Sequence, residues 1–177
     1  GQIINGSMLG IQDAASTIIN QNLGAKEYGR VLAAFRRAFW TNLAISVLGG
    51  GTVILLRGPI TLLFASGSPE FFRQIMTFNI FNLLALAPMG VSISAVALLY
   101  GVGRTKWALV MNFSRLFLLR IPLLWYFEHF TTLGGEAVGW ALVLSNSAVA
   151  VVSVAMAAAV IKNIKIEHGT EFSWFKK

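Results

Sequence analysis

Cysteine is absent from the 177 residues, which removes disulfides and thiolate metal sites from consideration. Charge is nearly as scarce, at 12% of residues against 56% hydrophobic, where an average soluble domain carries roughly 25% charged residues. A soluble protein of this length has no means of hiding so much apolar surface. Proline is limited to four residues while glycine reaches 17, a mixture suited to close-packed membrane helices with few breaks, because small residues let helix backbones approach. Metal-ligand spacing is missing: Glu128 and His129 read as a solvated helix end, and His168 stands alone in a charged tail. A phosphate-cradling loop is missing too, since Gly49-Gly50-Gly51 falls inside an apolar helix and reads as a packing or bending site. Nucleophile, base and orienting group do not occur together at depth, so the pattern is not that of an enzyme.

What the chain does have is a series of apolar runs long enough to cross a bilayer, which takes about 20 residues each. The spacing predicts an all-α integral membrane protein, a bundle of about five transmembrane helices over residues 1–23, 31–56, 71–100, 107–127 and 137–161, with a basic tail over 162–177. Ile60 to Ala65 reads as part of an interfacial elbow. Ser68 and Pro69 then supply an N-cap and a first helical position. Pro88-Met89-Gly90 marks the expected kink of the third helix.

The net charge of +7 sits in short clusters between the apolar runs, with no continuous basic face for nucleic acid. Membrane topology accounts for it better, because Lys and Arg are retained on the cytoplasmic side. Ten of the fourteen basic residues fall in one set of loops: Lys26, Arg30, Arg36, Arg37, Arg104, Lys106, Lys162, Lys165, Lys176 and Lys177. The first helix is thus expected to enter from outside and the tail to be cytoplasmic, in a plasma membrane. Five spans entered from outside, and a start at Gly1 within an already hydrophobic run, imply at least one further helix upstream.

The polar residues of the first helix carry most of the functional signal. On a 3.6-residue period Asn5, Gln12, Ser16 and Asn20 share a face, with Asp13 and Thr17 beside them, opposite Ile3, Ile4, Met8, Ile11, Ala14, Ala15, Ile18 and Ile19. An ionisable residue at the depth of Asp13 is a candidate cation or proton site, or else a structural carboxylate paired to an arginine such as Arg115 or Arg120. Those two arginines stand five positions apart, which on an α-helix points them in different directions. Asn112 and Arg115, three apart, share a face, while Arg120 is expected to play a structural part with its stem snorkelling. Asn79 and Asn82 on the third helix are either interhelical glue or a polar cavity lining.

Three segments in order resemble the MATE (multidrug and toxic compound extrusion) family. They are the first helix running into Gln21-Asn22-Leu23-Gly24-Ala25-Lys26 and Arg30, then Gly101-Val102-Gly103-Arg104-Thr105-Lys106, then Arg115-Leu-Phe-Leu-Leu-Arg-Ile-Pro122. The Arg-Ile-Pro run and the basic tail favour the C-terminal lobe. The resemblance implies helices eight to twelve of a two-lobe, twelve-helix antiporter, lacking here its N-terminal lobe and one helix. It implies export of cationic, amphipathic small molecules from lipid surroundings in exchange for sodium ions or protons, with no other cofactor. Asp13, Gln12, Ser16, Asn20, Asn79, Asn82, Asn112 and Arg115 would form the substrate and ion pathway. Some relatives carry an acid in the third of these helices, yet Phe71 to Tyr100 contains none. A lipid-linked oligosaccharide or lipid-precursor flippase of the same superfamily is the alternative that Arg115 and Arg120 leave open. A non-transporting scaffold subunit, with the polar face as an oligomer interface, is the other.

Overall fold

The computed structural model describes residues 2–56, 58 and 69–168, and among these every regular element is helical. The elements are α1 (Gln2–Gly24), α2 (Tyr28–Leu55), α3 (Pro69–Gly101), α4 (Thr105–Phe113), a π-helical segment (Ser114–Arg120), α5 (Ile121–Phe130) and α6 (Glu136–His168). From α4 through α5 the helix is continuous, so these elements, among the described residues, make five rods. Residues 60–65 and Ser68 of the expected elbow lie outside the described residues.

Among the described residues four stretches are long and apolar enough to cross a membrane: Tyr28–Leu55, Met76–Gly101, Thr105–Phe130 and Glu136–Ile166. The rod α1 is not among them. Its 23 residues would span about 35 Å at the rise of an α-helix, but Gln2, Asn5, Gln12, Asp13, Asn20 and Gln21 dilute its hydrophobicity. The boundary expected after Ile161 also shifts, because α6 continues to His168. Ile164 remains buried in the core beside Val160 and Ile161, and this packing keeps the helix going through Lys162 and Lys165.

α3 is the central rod, packed against α1, α2 and α6. Residues 92–99 of it are all buried, a run without an exposed face. Around it Ile19 of α1, Phe35 of α2, Met111 of α4 and Val149, Ala157 and Val160 of α6 form one cluster. The helix passes through Pro88 unbroken, and the Ser92 hydroxyl donates to the Pro88 carbonyl at 3.0 Å. Close approach of the rods depends on glycine. A Cβ on Gly101 would lie 3.0 Å from the Ser16 carbonyl and overlap Ile19, and one on Gly139 would lie 2.8 Å from Phe81 Cβ and overlap its ring. Gly49 and Gly50 pack against Ile4 and Leu83 in the same way, while Gly51 is open.

Two turns share one hydrogen-bond pattern. After α1, Lys26 N–H donates to Leu23 O and Glu27 N–H to Asn22 O; after α3, Gly103 N–H donates to Tyr100 O and Arg104 N–H to Leu99 O. Both are Schellman closures, with a left-handed residue ending the helix. In the second turn that residue is Gly103 at φ 75°, but in the first it is Lys26 at φ 58°. The first helix is therefore closed two residues after Gly24, by a residue with a Cβ.

Candidate functional site

α1 divides into an inward stripe and an open polar arc. Met8, Ala15 and Ile19 are buried, with Ile4 and Ile11 packed beside them, as the 3.6-residue period places them. Ile3, Ala14 and Ile18 are exposed instead. The helix packs mainly against α2 and α3, so its apolar half is wider than its packed half. Asp13, Thr17 and Asn20 stand exposed, and Gln12 and Ser16 are half-buried at the edge of the arc. Gly6 and Gly10 continue it with empty space above them. The arc is thus small and polar along the helix, which leaves room beside the Asp13 carboxylate.

The Asp13 backbone carbonyl accepts from both the Ser16 hydroxyl at 2.9 Å and the Thr17 hydroxyl at 3.0 Å. Both hydroxyls are therefore satisfied on their own helix. Among the described residues no ion pair joins Asp13 to Arg115 or Arg120, whose polar contacts lie elsewhere. Asn5, at the rim, has a buried Oδ1 with no hydrogen-bond partner.

On α3, Asn79 and Asn82 are half-buried, and Asn82 Nδ2 donates to the Phe78 carbonyl one turn back at 3.1 Å. That amide donor is spent within its own helix. A cleft of about 700 Å³ opens at this end of the bundle, lined by Arg73, Thr77, Phe78 and Phe81 of α3 and by Glu136 and Val138 of α6.

The π-helical segment alters the placement of the arginines. Its backbone closes between residues five apart, as in Ile121 N–H to Leu116 O. Residues at that spacing stack on one side, so Arg115 and Arg120 do not diverge as they would on an α-helix. Pro122 gives a physical reason for the wide turn: it has no N–H to donate, and its ring crowds the carbonyl four residues back, at Leu118. Arg115 Nη2 donates to Asn112 Oδ1 at 2.8 Å, the pairing the sequence suggests. Arg120 does not simply snorkel. Its Nε and Nη2 reach Ser145 Oγ at 3.3 Å and Asn146 Oδ1 at 3.1 Å on α6, and Asn146 Nδ2 reaches the Ala85 carbonyl of α3 at 3.4 Å. Three rods are laced together there.

A second buried polar seam joins α2 to α3. Asn42, fully buried, donates to Ser94 Oγ at 3.0 Å, and Ser94 donates to the Gly90 carbonyl at 3.0 Å. Asn42 Oδ1 has no hydrogen-bond partner. Neither seam was among the sites expected from the sequence. The signals that could have found them are the small-xxx-small pair Gly90 and Ser94 and the polar pair Ser145-Asn146 amid the apolar run of α6.

Taken together, these features define a polytopic helical membrane bundle, tied together by two polar seams and open along a polar helix. The MatE family profile matches residues 2–126, and the chain belongs to that family. No curated protein matches the chain by sequence. Among solved structures it is similar to an outward-facing multidrug resistance MATE family transporter of the MOP superfamily, at TM-score 0.82 and 19% identity over 90% of this chain and 36% of that one. An inward-facing structure of a transporter so described matches at TM-score 0.81 and 17% identity, covering 94% and 38%. A MOP superfamily transporter from Pyrococcus furiosus Vc1, whose binding pocket has reverse polarity suggesting a different function, matches at TM-score 0.77 and 19% identity, covering 89% and 35%. The chain thus spans little more than a third of the length of the structures it matches.

Proposed function

We propose that the chain is one lobe, short of a helix, of a secondary active antiporter that exports amphipathic organic cations in exchange for sodium ions or protons by alternating access. The observation that carries this reading is the open polar arc of α1. A helix in an otherwise lipid-compatible bundle exposes Asp13, Thr17, Asn20 and two unobstructed glycines along one side, and hydrocarbon would not tolerate that side. Water in a cavity would. Asp13 is the candidate for holding the coupling ion, with Gln12, Ser16 and Asn20 around it; Asn79, Asn82, Asn112 and Arg115 are further candidates for the pathway. The near-equal match to outward-facing and inward-facing relatives supports a lobe that moves as a rigid body. The loop charges support entry of α1 from outside, a cytoplasmic C-terminal end and residence in a plasma membrane.

Cation-driven efflux of a fluorescent organic cation from vesicles tests this reading. Asp13→Asn is expected to abolish coupled efflux at undiminished expression, and unchanged efflux in that variant would reject the role of Asp13. The second reading, a flippase for anionic lipid precursors, is favoured by the arginines at mid-span and by the similarity to the reverse-polarity relative.

A further inference from the structure

We infer that Arg115 and Arg120 form a binding site for an anionic group, a carboxylate or phosphate, at the middle of the membrane. Depth is the first argument. Along Thr105–Phe130 the two arginines stand about 15 and 22 Å from Thr105, and about 22 and 15 Å from Phe130, at 1.5 Å per residue. They flank the midpoint of the span, each about 15 Å from its nearer end. A guanidinium at that depth is costly unless it meets an anion or water, and intramembrane charges mark ligand paths or partners.

The second argument is the set of partners present. Arg115 donates to one neutral oxygen, Asn112 Oδ1, and Arg120 to two, Ser145 Oγ and Asn146 Oδ1. A guanidinium has five N–H donors in a planar fork, so most of the donors of this pair have no acceptor in these contacts. No carboxylate among the described residues forms an ion pair with either one. The contacts to Asn112, Ser145 and Asn146 hold the two forks in place without neutralising them, which is how a preorganised anion site is built.

The third argument is the π-helical segment itself. It occupies Ser114–Arg120 and so encloses both arginines. Spacing of five residues on that pattern brings both to one side, which an α-helix would not do. A wide turn of this kind inside a long helix is less favourable than regular α-helix, and it recurs at functional sites. Here its consequence is that the two cations leave the helix on the same side.

The inference rests on the second of the two readings above, the carrier of anionic amphiphiles, and stands against organic-cation cargo at this site; binding itself does not depend on transport. The cargo is then an amphiphile carrying a carboxylate or phosphate, either as its sole charge or as the anionic half of a zwitterion.

The test compares two amphiphiles with the same tail, dodecyl phosphate and dodecyltrimethylammonium, binding by calorimetry to the protein in dodecyl maltoside micelles, which bring no phosphate of their own. Inorganic phosphate serves as the headgroup alone. The expected result is a preference for dodecyl phosphate of about tenfold or more, as charge-assisted bidentate contacts confer. The preference should fall to near unity in Arg115→Gln/Arg120→Gln and be only partly restored by Arg115→Lys/Arg120→Lys, which keeps charge but loses the fork. Arg104→Gln, at the exposed start of α4, should change nothing. Competition of inorganic phosphate against dodecyl phosphate would show that the headgroup carries the recognition. Equal binding of the two amphiphiles by the unmodified protein would overturn the inference, whether the arginines are met by lipid, water or an acid of another segment. So would a preference that survives the double glutamine variant. Loss of cation-driven efflux with the binding preference intact would instead overturn the antiporter reading alone.

Discussion

Arg120 of the π-helical segment and Asn146 of α6 meet at 3.1 Å, and the same Asn146 amide extends to the Ala85 carbonyl of α3. The asparagine is the hub of this seam, since it is 3% exposed and both accepts and donates. Asn146→Leu strips a charged donor and a backbone acceptor of their partner in a water-poor place. It should lower stability by about 1 to 3 kcal/mol. Adding Arg120→Met to Asn146→Leu removes the stranded guanidinium as well and should recover much of that loss, because a polar pair replaced whole by apolar bulk is often close to neutral. Thermal unfolding of both purified variants in detergent checks this loss and its recovery.

The Asn42 and Ser94 pair gives a sharper version of the same argument. Ser94→Ala leaves Asn42 Nδ2 without its acceptor at a fully buried position that already holds one unpartnered oxygen. A cost of about 1 to 2 kcal/mol is expected. Adding Asn42→Leu should recover most of that loss, since no polar atom of the pair then remains. Reversible unfolding in mixed micelles of the two single variants and the double closes the cycle.

Glycine substitutions should separate packed from open positions on the same rods. Gly101→Val and Gly139→Val meet Ile19 and Phe81 and should destabilise by about 1 to 3 kcal/mol or prevent accumulation. Gly10→Ala, with nothing within 4 Å of the added carbon, should leave the fold intact. Yield and elution profile in size-exclusion chromatography distinguish the two classes.

Lys26 holds a left-handed conformation that Gly103 holds in the matching turn. Lys26→Gly relieves the Cβ strain and should raise stability by about 1 kcal/mol. The rise would appear in the same unfolding measurement, and a fall would show that the lysine side chain contributes more than its backbone costs.

Much of the helical plan was readable because a bilayer imposes length and hydropathy together, so apolar runs and basic loops carry strong signals. The polar side of α1 was readable only in part: the period groups Asn5, Gln12, Ser16 and Asn20 with Asp13 and Thr17 beside them, whereas Asp13, Thr17 and Asn20 stand exposed and Asn5, Gln12 and Ser16 are half-buried. The exact partition of that helix was not, because Ile3 and Ile18 look identical to Ile4 and Ile19 until the neighbours that cover only the latter are known. The two seams were missed because Asn, Ser and Gly in apolar helices become informative only as pairs across helices. Hardest to read was the π-helical segment. No single period of 3.6 runs through it, and one wide turn before Pro122 sets Arg115 and Arg120 on the same side.

The central claim is that the exposed arc of α1 faces water in a transport cavity, and the absence of cysteine from these 177 residues makes it directly testable. Single cysteines at Gly10, Thr17, Ala15 and Ala97 can be exposed in membranes to a membrane-impermeant thiol reagent, with a denatured sample defining full labelling. Gly10→Cys and Thr17→Cys should be modified, and Ala15→Cys and Ala97→Cys, at positions 6% and 0% exposed, should not. Equal protection of all four positions would place the α1 arc against protein or lipid and contradict the account.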